Sequence, residues 1–195
     1  VWISDEWIER VKAAQPELRT EKLSRYEREY GLPQYDAGIL TGSKKLSDLF
    51  EETTALCGKP KKVSNWIMVE TMRLLKENNM DPEDIRFSPV NLAKLINLAD
   101  SGSITNTVAK EVFERIFKDD IDPEKYVEEK GLKTVNDEGA LRETVQKVLA
   151  DNPQSVEDYH NGKEKAIGFL VGQTMKAMKG KANPALVNQI LKELL

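Results

Sequence analysis

Apolar residues along this chain recur every three or four positions, the spacing that gathers them on one side of an α-helix. Ile104, Val108, Val112, Phe113, Ile116 and Phe117 make one continuous stripe. Leu141, Val145, Val148 and Leu149 make a second, and Leu186, Val187, Ile190, Leu191 and Leu194 a third. Trp66, Ile67, Leu74 and Leu75 predict a helix over roughly 61–78. Capping residues stand directly before proline at Asp81-Pro82, Ser88-Pro89, Asp122-Pro123, Asn152-Pro153 and Asn183-Pro184, the order expected at helix starts. Strand signals are weak: Asn161-Gly162 lies between helical patterns and not between alternating runs, and no βαβ rhythm is present. The pattern predicts an all-α fold, a helical bundle domain followed by a smaller tail bundle of three or four helices. The polar stretch 118–123 marks the expected division, giving domains at 1–121 and 122–195, with a looser joint around Gly31-Leu32-Pro33 and Gly42-Ser43.

Within residues 162–184 the helical pattern acquires a chemical character. Ile167, Leu170, Val171, Met175 and Met178 form a stripe to be buried, while Lys163, Lys165, Lys176, Lys179 and Lys181 surround it. Gly168 and Gly172 stand four apart; each costs about 1 kcal/mol against alanine in a helix interior, so a reason is required. Close approach of another helix is the expected one; the alternative is that one of them bares a surface on which a sugar-phosphate backbone can rest. For stacking on an unpaired base, Phe169 falls inside the apolar pattern and is expected in the core, which leaves Tyr159 as the better exposed candidate. The helix is expected to stop at Gly180, and Asn183-Pro184 to start another. A basic helix end and a fresh helix N-terminus so close together suit phosphate groups, through cationic side chains and amide donors.

Charge sharpens this picture. The whole chain carries 29 Lys and Arg against 33 Asp and Glu, a net charge of −4. Residues 119–160 hold twelve acids and five bases, whereas 161–195 hold two acids and six lysines. Overall acidity thus conceals a basic end, and a polyanionic partner stays open. No apolar run reaches the roughly 18 residues of a membrane span, and no signal-peptide pattern opens the chain. The single cysteine, Cys57, excludes an internal disulfide and fits a reducing compartment. Val1-Trp2-Ile3 begins without methionine on an apolar segment, the expected mark of a fragment, with Trp2 and Trp7 packing on an upstream part.

Catalytic chemistry finds little to work with. The lone His160 is expected to cap a helix end or lie on the surface, and with Cys57 about a hundred residues earlier it makes no nucleophilic dyad. Glu128, Glu129, Asp137 and Glu138 read as a solvated acidic face. Metal binding lacks a ligand cluster, and no P-loop or dinucleotide fingerprint occurs. No catalytic residue and no metal site is expected.

The stretch from Gly162 to Pro184 resembles the C-terminal signature of GatB, the B subunit of the aspartyl/glutamyl-tRNA amidotransferase. The likeness continues through Val187-Asn188 and Leu191 to Leu195, and upstream at Ser4 to Ile8, Tyr35-Asp36-Ala37, Ile39-Leu40-Thr41 and Ala109 to Phe113. Ile167 and Met178 depart from the usual leucine and threonine. The resemblance implies that residues 1–33 connect to a catalytic domain outside this chain. Residues 122–195 would form a tail like the free-standing YqeY proteins. It also implies a cytoplasmic heterotrimer with subunits A and C, using ATP and magnesium to convert Glu-tRNA(Gln) or Asp-tRNA(Asn) to the amide form. This chain would be its non-catalytic, tRNA-grasping region, its tail reaching the D-loop corner. Lys163, Lys165, Lys176, Lys179, Lys181 and Asn183 are the candidate tRNA contacts. The alternative is a scaffold that holds the subunits together without touching RNA.

Overall fold

The computed structural model describes residues 4–195; Val1, Trp2 and Ile3, and with them the packing expected of Trp2, lie outside the described residues. Those residues are predominantly helical, and their only β-type pairing is an isolated bridge between Val135 and Ala182. The chain divides into two compact units, Val1–Ile85 and Arg86–Leu195.

The first unit holds α1 (Asp5–Ala14), α2 (Arg19–Tyr30), α3 (Gln34–Leu40), α4 (Lys44–Cys57), α5 (Pro60–Asn65) and α6 (Met72–Glu77). Its core forms around Tyr26, Leu40, Phe50, Val63 and Ile67, all fully buried. The Tyr26, Tyr30 and Phe50 rings stack tilted or edge-on at 5.0–5.3 Å between centroids. Trp7, expected to pack on an upstream part, is exposed within this unit. Between α5 and α6 the rod continues as a π-helix, Trp66–Thr71, where the Thr71 hydroxyl donates to the Trp66 carbonyl at 3.2 Å. The helix expected over roughly 61–78 is thus present, with a widened turn in its middle.

The second unit begins with α7 (Pro89–Asp100), α8 (Asn106–Asp119) and α9 (Pro123–Lys130), which pack on one another. The stripe read from the sequence supplies their core: Ile104, Val108, Val112, Phe113 and Ile116 are buried. Then α10 (Glu138–Asp151), α11 (Pro153–His160), α12 (Lys165–Ala177) and α13 (Pro184–Leu194) enclose a core of Leu141, Val145, Val148, Leu170, Ala182, Val187, Ile190 and Leu191. The polar 118–123 stretch, expected as the domain division, lies inside the second unit. Asp120 Oδ1 accepts from the Ser88 amide at 2.9 Å and from Asn91 Nδ2 at 2.9 Å, and Lys94 Nζ donates to Asp122 at 3.1 Å. Those contacts fasten α9 back onto α7, so polarity there marks a satisfied turn.

Candidate nucleic-acid interface

Helix α12 is built from thirteen residues, two of them lysines and none an acid. Leu170 and Thr174 are fully buried, and Ile167, Val171 and Met175 pack against the tail core. The buried Thr174 hydroxyl donates to the Leu170 carbonyl at 2.9 Å, which satisfies it within the helix. At 100° per residue the opposite side brings Lys165, Gly168, Phe169, Gly172 and Lys176 into one arc about 100° wide. All five are exposed.

Three expectations for α12 and the residues leading into it do not hold. Gly168 and Gly172 do not admit a crossing helix: they face outward, and a Cβ built on either meets nothing within 4 Å. Phe169 is not a core residue: it is 48% exposed and stands apart from the apolar side chains that pack on the tail core. Tyr159, expected as the exposed aromatic, is instead half-buried beside the His160 ring. His160 itself is exposed, with Nε2 2.8 Å from the Leu195 carbonyl oxygen.

The six candidate contacts separate into two groups. The ammonium groups of Lys165, Lys176 and Lys179 are exposed and form no ion pair or hydrogen bond with another described residue. By contrast Lys163 donates to Asp158 Oδ1 at 3.2 Å. Gln154 and then Lys163 hold the Asp158 carboxyl below its usual range. Lys181 is half-buried and donates to the Gly131 carbonyl at 3.4 Å. Asn183 caps α13: its Oδ1 accepts from the Ala185 amide at 3.1 Å and the Leu186 amide at 3.4 Å, while its Nδ2 donates to Asn136 at 3.0 Å.

The start of α13 therefore offers no phosphate cradle of the kind expected from the sequence. Pro184 has no N–H, Ala185 and Leu186 donate to Asn183, and Val187 donates to the Asn183 carbonyl at 3.0 Å. Its first-turn donors are consumed within the chain. The 178–183 loop is a joint. Lys179 and Gly180 both adopt positive φ (55° and 74°), and the Thr105 hydroxyl donates to the Gly180 carbonyl at 2.6 Å. A Cβ on Gly180 would stand 2.9 Å from Thr107 Cγ2. The Val135 amide donates to Lys181 O at 2.7 Å, and the Asn183 amide donates to Val135 O at 3.2 Å. Of the six candidates, the free cations are therefore Lys165 and Lys176 on the outer face of α12 and the adjoining Lys179.

Among the described residues no three His, Cys, Asp or Glu side chains converge to hold a metal ion. ATP and magnesium, implied for the longer protein, are assigned no residue here. Among the described residues no helix is long and apolar enough to cross a membrane.

Fold and surface together define an all-α protein whose final four-helix bundle presents an acid-free helix face with lysines at its two ends. Comparison with known families makes this specific. The chain belongs to the GatB domain family, which matches residues 48–195. It is 69% identical, over 99% of its length, to the B subunit of the aspartyl/glutamyl-tRNA(Asn/Gln) amidotransferase of Agathobacter rectalis, and spans 41% of that protein. The corresponding B subunits of Lachnoclostridium phytofermentans and Thermoanaerobacter sp. are 60% and 52% identical over the same 99%, with 40% and 41% of their lengths spanned. The chain thus spans about two fifths of the length of the curated relatives it matches.

Proposed function

We propose that this chain is the non-catalytic, tRNA-positioning region of an aminoacyl-tRNA amidotransferase, and that the outer face of α12 is its RNA contact. The observation that carries this reading is the acid-free face with unpaired Lys165 and Lys176, extended by Lys179. Lysine supplies point charge for phosphates and little base discrimination, so the face holds and orients a polyanion. The names of the relatives, all B subunits of aspartyl/glutamyl-tRNA amidotransferases, point to an aminoacylated tRNA as that polyanion.

The substrates of the whole enzyme would be Glu-tRNA(Gln) or Asp-tRNA(Asn), amidated with ATP and magnesium in a cytoplasmic complex with subunits A and C. That chemistry belongs to protein outside this chain. Here the contribution is binding energy remote from the reacting carboxylate, which fixes the orientation of the acceptor end. The test is a nuclease footprint of tRNA with and without the full chain. Protection at the D-loop corner is the expected result; an unchanged cleavage pattern at saturating protein overturns the reading.

A further inference from the structure

Phe169 is the feature of this face that charge does not explain. Phe169, 48% exposed on a helix and absent from the side chains that pack on the tail core, forfeits burial worth about 1 kcal/mol or more. It makes no ring contact with another described aromatic residue. Its surroundings on the helix surface are bare. Gly168 precedes it, Gly172 lies one turn on, and beyond its chain neighbours and its own helix backbone neither position has an atom within 4 Å of where a Cβ would stand. Lys165 lies four residues before it and Lys176 seven after, about 6 Å and about 10 Å along the axis.

We infer that Phe169 is a base-stacking residue: an unpaired base of the bound RNA lies on its ring while Lys165 and Lys176 hold flanking phosphates. This rests on the RNA-binding reading above and names what the face selects, an unstacked base in place of a uniform phosphate array. The physical reasons are three. An aromatic ring between cations matches a nucleotide, which joins a π-face to a phosphate. The missing side chains at 168 and 172 leave the helix surface open for a sugar to lie against. And the arc holds no acid to repel the phosphates. Charge complementarity favours RNA over an apolar protein surface as the occupant.

The experiment measures tRNA binding by fluorescence anisotropy at several salt concentrations, using the full chain as wild type and as Phe169→Ala, Phe169→Leu and Phe169→Trp. A blunt RNA duplex of similar length serves as the second probe. Phe169→Leu keeps apolar bulk and removes the aromatic face, and unchanged thermal unfolding of each variant checks the fold. The expected result is a 5- to 100-fold weaker affinity, to order of magnitude, for tRNA with Ala and Leu and near-wild-type affinity with Trp. The salt slope is expected to stay the same in every variant, and duplex affinity to be insensitive to residue 169. Wild-type affinity for tRNA in Phe169→Leu overturns the inference, as does an equal loss on duplex and tRNA. If wild-type protein binds with a steep salt slope while residue 169 has no effect, stacking alone fails and the phosphate-binding reading stands. If wild-type protein does not bind tRNA, both fail. Loss of partner-subunit binding in Phe169→Ala with intact tRNA affinity assigns the ring to a protein interface and also overturns it.

Discussion

Gly168 and Gly172 weaken α12 and serve no packing within the chain. Replacing both with alanine is expected to raise the unfolding free energy by about 1–2 kcal/mol in chemical denaturation, because backbone freedom in the unfolded chain falls and no side chain is in the way. If the bare surface exists for RNA, the same double substitution weakens tRNA binding. A variant that is more stable and binds tRNA normally contradicts that role. Gly180 behaves in the opposite sense. At φ 74° and with Thr107 Cγ2 in the path of a Cβ, Gly180→Ala is expected to cost about 1–3 kcal/mol, read as a lowered denaturation midpoint. Single residues were only partly legible in the sequence. The lysines announce themselves by type. Phe169 was misread because it neighbours Leu170 in a largely apolar run; its angular position, 140° from the buried Thr174, places it on the lysine side. Which lysines stay free could not be read at all, since the partners of Lys163 and Lys181 are set by tertiary folding.

Helices were legible where their start signals are local. Ser88, Asp122 and Asn183 each cap the helix that their following proline opens. Asn152 precedes α11 without capping it and instead donates to the Val148 carbonyl at 2.8 Å, while Asp81-Pro82 opens only a short 3-10 turn, Pro82–Asp84. The Thr105 contact that anchors the 178–183 loop joins residues 75 apart, beyond the reach of any periodicity. The same holds for the cluster that fastens the segment before α2 to α2 and α4. Arg25 donates to Glu17 at 2.8 and 2.9 Å and also pairs with Glu51. The Arg25 hydrogen bond holds the Glu17 carboxyl below its ordinary value of 4.5. Stability from this pair is fully present above pH 4.5 and is lost as pH falls through the lowered folded value. Glu17→Gln is therefore expected to lower stability at pH 7 and to flatten the loss of stability below pH 4.5. Denaturation curves at successive pH values test this, and parallel curves for the two proteins would contradict it.

Over the whole molecule, the helical class was legible because nearly every buried stripe has one period and the strand signals are weak. The division was not. The units part between Ile85 and Arg86, where the sequence shows only Asp84-Ile85-Arg86-Phe87, while the conspicuous polar stretch near residue 122 closes a turn. Net charge misleads for a related reason: −4 averages an acidic 119–160 with a basic end, and binding responds to the local face. The central claim is that the outer face of α12, with Lys179, is a phosphate-binding surface. Its most direct test is the slope of log affinity for tRNA against log salt, measured for the wild-type chain and for the combined Lys165→Ala, Lys176→Ala and Lys179→Ala variant. Three lost phosphate contacts at about 0.7–0.9 each predict a slope shallower by about 2–3 and weaker binding at low salt. Equal slopes and equal affinities in the two proteins would contradict the claim.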